Sequence, residues 1–571
     1  MKNPEVVLLL VVLYGHVGLQ PHLCGAAGEA RKRTDFLEHS GRNEESSGQV
    51  FMSQIGGHLE KRVRAEQRRS DRPLASPGSL QAQVQPGGVK GLHLSLAGVG
   101  QVRAMWMNPV PFTAPSDFKP QCAYTVLQSE KQLANHKDGV PRVKSHRRCE
   151  VHNDGKRSKV LENAKTAPNV TVGRAYTYTA GNFNATLNEA VMTYDAGSVP
   201  VTINYQCGDG NYVMSPPYNF TIQPTTIQKG SNGKGSKKKR RINNVSYETS
   251  SKISPGRTCS DEACVTGGER VGKVALIADM GIEEDSFTVR SIQRQVEQGE
   301  LDFVLHAGDV SYADRFGSTF GSGDGNNSWV WVQYMTSLQG VAARVPYMTG
   351  PGNHEEQFDF AAYRNWLHMP GNESGSSSPY YYSFDYLGVH FVSISTEHDL
   401  RGNSSQHRWL EQDLRTADLN RARTPWILVF GHRPLYCSSA VLWTTRCTKE
   451  ARQHRRDFEE LFERYHVDVY VCGHNHQYER SWPVSYGNVT AKNYNNPAAT
   501  VHIVTGAAGS PEGNDPTYVP EFMAPWRAGY SLTVKTGWTL MEVNSTALAF
   551  SYIHSVDSGK VVDSFTITKT P

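Results

Sequence analysis

The sequence has almost no net charge for its length, since 59 lysines and arginines stand against 55 aspartates and glutamates and leave +4 over 571 residues. Such a chain carries no global field that would attract nucleic acid, and none specific is expected as a partner. Long apolar runs are also missing: roughly 18 in a row would be needed for a transmembrane helix. The 38% of apolar residues, with 51 glycines besides, exclude a mainly disordered or collagen-like chain.

The N-terminus is typical of a secretory signal peptide. Lys2 precedes the apolar run Val6–Leu13, and small residues follow at 24–27, which places cleavage near Ala26. An uncleaved anchor is the alternative, but this run is too short to span a bilayer. We therefore expect the protein to be secreted or to lie in the lumen of the secretory or endolysosomal pathway, with no membrane-spanning segment after cleavage.

N-glycosylation sequons agree with this compartment. A single Asn-x-Ser/Thr triplet is a weak signal, but nine of them fit a glycosylated secretory protein. They lie at Asn169, Asn184, Asn219, Asn244, Asn326, Asn372, Asn403, Asn488 and Asn544.

The cysteines allow an even set of disulfides. Nine are present, and eight remain once the predicted signal peptide is removed. The pairs closest in sequence, Cys259/Cys264 and Cys437/Cys447, are the predicted bridges. Cys472 ends an apolar run, and a buried free thiol is an equally good interpretation of it.

Changes in composition divide the chain into segments. The predicted segments are a signal peptide (1–26), a flexible pro-segment or linker (27–85), a β-sandwich (86–224), a basic Gly/Ser-rich linker (225–270) and a catalytic domain (271–571). The linker holds five consecutive basic residues, Lys237–Arg241. These predict a solvated charge run, a processing site or a contact with a polyanion.

Two different periodicities indicate two kinds of domain. Short alternating runs predict a β-sandwich of the fibronectin or immunoglobulin type, at Leu92–Leu96, Val102–Trp106, Tyr176–Tyr178, Val201–Tyr205 and Tyr218–Ile222. After Val271, apolar strands alternate with amphipathic helices, which predicts an α/β layered sheet. Ligands of such sheets gather at the carboxyl ends of the strands.

Five of the predicted strands end in a glycine-containing turn that carries metal-ligand side chains. The side chains are those of Asp279, Asp309, Tyr312, Asn353, His432, His474 and His476. The set contains no thiol and mixes oxygen donors with imidazoles. A two-metal hydrolytic site needs one bridging carboxylate and about three further ligands per ion.

The ligand types assign this set to two ions. Asp309 is the predicted bridge; Asp279, Tyr312 and His476 complete one site, and Asn353, His432 and His474 complete the other. Phenolate is a hard anionic donor and favours Fe(III), whereas the neutral set favours a divalent ion such as Zn, Mn or Fe.

The order Asp-x-Gly, Gly-Asp-x-x-Tyr, Gly-Asn-His-Glu, Val-x-x-His, Gly-His-x-His resembles the five-motif signature of the purple acid phosphatases, within the calcineurin-like metallophosphoesterases. The wider superfamily has histidine where this chain has Gly281, and no ligand where it has Tyr312. The resemblance implies an αββα-layered catalytic domain, preceded by the fibronectin-like sandwich of the larger members.

The resemblance also implies a function. It is hydrolysis of small-molecule phosphate monoesters by in-line attack of a metal-bound hydroxide at an Fe(III)–M(II) centre. Asn353, His354 and His432 are the expected substrate-binding residues, and His354 is the candidate proton donor to the leaving group. A hydrogen bond that only positions a ligand is the alternative role for His354. A homodimer is a further expectation, since dimers are frequent in the family.

This chain departs from the plant-type pattern in one segment. Plant members carry adjacent histidines shortly after the fourth motif, whereas residues 434–443 contain none and resemble the animal and protist branch. The leaving-group acid and the preferred substrate cannot be transferred from plant members. Two alternatives stay open: a phosphodiesterase or nucleotide pyrophosphatase on the same scaffold, and an inert secreted binding protein.

Overall fold

The computed structural model describes residues 88–224 and 271–570, except 109–117, 129–167, 181–182, 198, 210–212, 283–286, 317–327, 441–445, 516 and 557–558. The predicted signal peptide, pro-segment and basic linker, with Lys237–Arg241 and the Cys259/Cys264 pair, lie outside these residues. No helix in the described ranges is long and apolar enough to cross a membrane.

The first described part, residues 88–224, is built from strands. They are β1 (Lys90–Leu96), β2 (Gln101–Met107), β3 (Pro120–Gln128), β4 (Asn169–Val172), β5 (Arg174–Ala180), β6 (Phe183–Thr193), β7 (Val201–Asp209), β8 (Val213–Met214) and β9 (Tyr218–Ile222). One antiparallel sheet has the order β1-β2-β6-β5, and the other has the order β4-β3-β7-β8 with β9 also on β7. All five runs predicted from alternation are strands.

A disulfide that spacing did not predict crosses the second sheet. Cys122 of β3 and Cys207 of β7 are directly opposite each other in the antiparallel register, and they are bonded. They are 85 residues apart in sequence, and both are fully buried. Trp106 lies in the same core.

The second described part alternates strands and helices. Its elements are β10 (Gly272–Ile277), α1 (Phe287–Glu297), β11 (Phe303–Ala307), α2 (Ser328–Ala342), β12 (Tyr347–Gly350), α3 (Gln357–Trp366), β13 (Tyr382–Tyr386), β14 (Val389–Ser393), α4 (Ser405–Leu419), β15 (Trp426–Phe430), α5 (Arg446–Arg464), β16 (Val469–Cys472), β17 (Tyr478–Ser481), β18 (Val484–Ser485), β19 (Asn488–Val489), β20 (Val501–Thr505), β21 (Arg527–Tyr530), β22 (Gly537–Val543), β23 (Ala547–His554) and β24 (Val561–Thr568).

Two mixed sheets form the centre of this part. One has the order β12-β11-β10-β22-β23-β24, and the other has the order β13-β14-β15-β16-β20-β17-β21. They pack face to face, as the edge-on contact between Phe303 of β11 and Phe391 of β14 shows, with ring centroids 5.1 Å apart. Buried residues of α1 and α2 cover one sheet, and Leu410 of α4 and Phe458 of α5 cover the other. The predicted αββα layering is confirmed.

The sandwich packs directly against the α/β layers. His93 of β1 contacts the Trp366 carbonyl through Nε2 at 2.9 Å, and the Tyr205 hydroxyl donates to the Ala343 carbonyl at 2.7 Å. These buried polar contacts hold the two parts in one compact unit.

A partly buried charged bridge joins β13, β14 and α4. The His390 ring contacts Asp385 through Nδ1 at 2.7 Å and Asp413 through Nε2 at 2.9 Å. Burial lowers the pKa of His390, but these two carboxylates raise it to about 9. The imidazolium form is therefore the one that the fold stabilises at neutral pH.

Candidate metal centre

The predicted ligands follow strands whose carboxyl ends meet at one edge of the two sheets. Asp279, Asp309 and Tyr312 follow β10 and β11, and His474 follows β16. All four have positive φ, between 54° and 67°. This region is costly for residues other than glycine and persists only where the surroundings enforce it, as functional sites do.

The Tyr312 hydroxyl lies at the middle of the first ligand group. It is 3.2 Å from Asp279 Oδ1, 3.3 Å from Asp309 Oδ2 and 2.9 Å from His476 Nε2. The His476 ring is oriented by its Nδ1, which lies 2.9 Å from the Gly513 carbonyl. The four side chains thus direct their donor atoms at one point.

The second group shares the Asp309 Oδ2 atom with the first. His432 Nε2 lies 3.1 Å from it and 3.1 Å from Asn353 Oδ1. The His474 ring stands nearly perpendicular to His432, with centroids 5.1 Å apart. Ligand atoms of Asp309, His432 and His474 all lie within 4.8 Å of one another. All seven predicted ligands are therefore brought together, in two groups that meet at Asp309.

The second group contains acceptors that face each other. His432 Nδ1 lies 3.1 Å from the Ala307 carbonyl, so this nitrogen carries the proton and Nε2 presents a lone pair when the ring is neutral. That lone pair then confronts carboxylate and amide oxygens, which is unfavourable unless a cation lies between them. The donor set fits a metal ion.

The charges of the site favour cations as well. Burial raises the pKa of Asp309, but His432 outweighs burial and holds it far below its usual value. Burial lowers the pKa of His432, but the carboxylates of Asp309 and Asp279 raise it to about 10. Burial and the same two carboxylates raise the pKa of Tyr312 well above 10. The protonated imidazole of His432 supplies positive charge between these carboxylates, and a bound metal ion would supply it instead.

Glycines let the backbone close around the two carboxylates. A Cβ on Gly352 would collide with the Asp309 side chain, and a Cβ on Gly473 or Gly506 would collide with Asp279 Oδ2. Gly308 has a φ of +84°, and a Cβ there would lie 2.6 Å from His432 Nδ1. Glycine is required at these turns by close approach, as the sequence pattern suggested.

His354 occupies the rim of the first group. Its ring packs on Tyr312 with centroids 4.2 Å apart, and its Nδ1 lies 2.7 Å from Asp314 Oδ2. Its Nε2 is left facing Asp309 Oδ2 at 3.8 Å and Glu512 Oε1 at 4.0 Å. Burial lowers the pKa of His354, but Asp314 and Asp309 raise it to about 9.

Two residues in or directly beside these motifs received no role from the sequence. Glu355 accepts hydrogen bonds from the backbone of Asp309, Val310 and Gly352, and so holds the bridging aspartate in place. Arg433 lies beside His474. The fourth residue of the Gly-Asn-His-Glu motif was a signal for Glu355, whereas nothing in the sequence pattern pointed to Arg433.

The predicted bridge between Cys437 and Cys447 is present, and Cys472 is a buried free thiol. The bridge connects the loop after β15 to the start of α5. It therefore ties together two segments that flank the second ligand group.

Comparisons with known proteins agree with this geometry. Residues 272–478 match the family described as calcineurin-like phosphoesterase, and residues 499–564 match iron/zinc purple acid phosphatase-like protein C. Acid phosphatase type 7 of Homo sapiens is 36% identical over 310 residues, which cover 51% of this chain and 66% of that protein. Acid phosphatase type 7 of Danio rerio is 35% identical over 319 residues, covering 52% and 68%.

A solved structure supports the fold over a longer stretch. The purple acid phosphatase from yellow lupin seeds aligns with a TM-score of 0.58 at 19% identity, and the alignment covers 85% of this chain and 75% of that one. It thus includes more of this chain than the sequence matches do. The chain belongs to the calcineurin-like phosphoesterases, in the purple acid phosphatase group of that family.

Proposed function

We propose that this protein is a secreted acid phosphatase that hydrolyses phosphate monoesters of small molecules at a two-metal centre. The observation that carries the proposal is the position of Asp309 Oδ2, which lies 3.3 Å from the Tyr312 hydroxyl and 3.1 Å from His432 Nε2. One carboxylate oxygen is thereby shared by two otherwise separate ligand groups, as a bridging ligand requires.

The two groups differ in the ion that each would hold. Asp279, Asp309, Tyr312 and His476 form an anionic, oxygen-rich set that suits Fe(III). Asp309, Asn353, His432 and His474 form a less charged set that suits a divalent ion, Zn, Mn or Fe. When bound, such ions withdraw charge from phosphate oxygens and lower the pKa of a bound water molecule, so that it ionises below neutral pH.

The protein's own residues then orient and protonate the substrate. Asn353 and His432, whose Oδ1 and Nε2 atoms lie 3.1 Å apart, would hold the phosphate for in-line attack. The hydrogen bond between His354 Nδ1 and Asp314 leaves Nε2 directed toward the centre. When its ring is protonated, His354 would donate the proton on Nε2 to the leaving alkoxide.

Export is supported by the covalent structure. Cys122–Cys207 and Cys437–Cys447 are bonded, and disulfides persist in oxidising compartments. Among the sequons, the asparagines Asn169, Asn219, Asn372, Asn403 and Asn488 are exposed, and Asn544 is half-buried.

The test is hydrolysis of an aryl phosphate monoester and of an aryl diester between pH 4 and 8, with metal content measured on the same samples. We expect monoester activity with an acidic optimum, and we expect Asp309→Ala to lose both metals and all activity. Asp418→Ala, at the end of α4 and paired with Arg421, is the matched control and should keep both. Full activity of Asp309→Ala would contradict the proposal, and so would the absence of hydrolysis of both esters by the metal-replete wild type.

A further inference from the structure

Side chains of two other segments hold the backbone of Arg433. It directly follows His432 at the end of β15. Its N–H donates to Thr396 Oγ1 at 3.0 Å, and its carbonyl accepts from the Tyr470 hydroxyl at 2.7 Å. Both peptide groups of the residue are therefore held, which sets the direction in which its side chain leaves the strand end.

The side chain is held as firmly as the backbone. Its Nε lies 2.9 Å and 3.0 Å from the two carboxylate oxygens of Glu397, whose side chain is only 2% exposed. Its Nη1 lies 3.2 Å from His474 Nε2 and 3.9 Å from Glu450 Oε2. The guanidinium is thus preorganised at the rim of the second ligand group, and it remains 19% exposed.

These contacts leave part of the donor capacity of Arg433 unused. A guanidinium offers five N–H groups, and the described partners occupy Nε and Nη1 but not Nη2. In this part of the centre Asp309, Glu397 and Glu450 would repel a phosphate group. Arg433 is a fixed cation among them, and a planar fork of this kind matches phosphate oxygens.

We propose that Arg433 is a substrate-binding residue of this centre. Its guanidinium donates hydrogen bonds to non-bridging oxygens of the phosphate group held beside Asn353, His432 and His474. This assignment rests on the proposed function and adds to it, because it identifies which side chain recognises the phosphate part of the substrate. The competing role is purely positional, in which Arg433 only orients the His474 ring.

Two substitutions separate these roles without leaving an orphaned buried charge. Arg433→Lys keeps a positive charge but loses the fork, and the double variant Arg433→Gln/Glu397→Gln removes both partners of the clamp. Binding of inorganic phosphate to the metal-loaded protein is measured by calorimetry, KM and kcat are measured with the aryl monoester, and metal content is measured by atomic emission.

We expect the double variant to bind inorganic phosphate about 10- to 100-fold more weakly, which is the range for a hydrogen bond to a charged group. KM should rise with it, and both metals should be retained. Arg433→Lys should fall between the double variant and the wild type. The double variant Arg480→Gln/Asp563→Asn is the control, because Arg480 of β17 also clamps a carboxylate, with Nε at 2.6 Å and Nη2 at 3.0 Å from the oxygens of Asp563, in a contact that involves no predicted ligand.

Phosphate affinity equal to wild type in both variants would overturn the assignment of Arg433 and leave the proposed function intact. Loss of metal with unchanged phosphate affinity of the remaining loaded protein would also overturn it, in favour of the positional role. A metal-replete wild type that hydrolyses no ester would instead overturn the proposed function.

Discussion

Glu355 offers a direct test of how the bridging aspartate is held. Its carboxylate accepts hydrogen bonds from the N–H groups of Asp309 at 3.0 Å and Gly352 at 2.9 Å on Oε2, and from Val310 at 2.9 Å on Oε1. The residue is 4% exposed, so water cannot replace these bonds. The three donors come from two of the five ligand-carrying turns, those after β11 and β12, and their loss should loosen the centre as well as the fold.

The magnitude follows from the number of donors left unpaired. Glu355→Ala leaves three buried N–H groups without an acceptor, at about 1–3 kcal/mol each, or about 3–9 kcal/mol in sum. Because single substitutions rarely cost more than about 5 kcal/mol, we expect a loss of about 3–5 kcal/mol in the free energy of unfolding. In Glu355→Gln the amide oxygen can still serve two donors, while its NH₂ group opposes the third. We therefore expect a loss of about 1–2 kcal/mol from that substitution.

The assay is urea unfolding of metal-free protein, with metal content after reconstitution as a second readout. Glu356→Gln is the control, because this neighbouring glutamate is exposed and its loss should change stability by less than about 0.5 kcal/mol. If Glu355→Ala unfolded at the same urea concentration as Glu356→Gln, the three hydrogen bonds would not hold the turns together and the reasoning would be refuted.

Two further predictions concern a turn and a charged bridge. Gly308→Ala should displace His432 and lower the metal content, because the new Cβ would lie 2.6 Å from His432 Nδ1. Gly487→Ala should keep the metals, because Gly487 has a similar φ of +81° but no described atom within 4 Å of the new Cβ. An equal loss of metal in both variants would show that the positive φ, and not the collision with His432, causes the effect. His390 should stabilise the fold fully below its ordinary pKa of 6.5 and lose this contribution as pH rises through about 9, because only the imidazolium pairs with its two aspartates. The free energies of unfolding of wild type and His390→Gln, measured in urea, should therefore differ by up to about 3 kcal/mol at pH 6 and converge near pH 10, and a constant difference would contradict the assignment.

The types and order of the ligands, and the sheet edge where they meet, could be predicted without a structure. Each ligand lies in the turn that follows an apolar run, and parallel strands deliver their carboxyl ends to the same edge whatever the details of packing. The same local logic located five of the nine described strands of the sandwich and the Cys437–Cys447 bridge, whose cysteines are only 10 residues apart. Local pattern was sufficient for these features because neighbouring residues determine them.

Contacts between segments far apart in the chain could be identified only from the tertiary structure. Cys122 and Cys207 meet only because β3 and β7 pair in one register, and the spacing of the cysteines along the chain does not indicate this pairing. Arg433 meets Glu397, 36 residues away, and it reaches His474 across two strand ends. Because strand periodicity is local, the amino-acid pattern was enough to identify the side chains that could bind metal. Only the fold decided which charges surround them, because burial and electrostatic partners depend on packing between segments far apart in the chain.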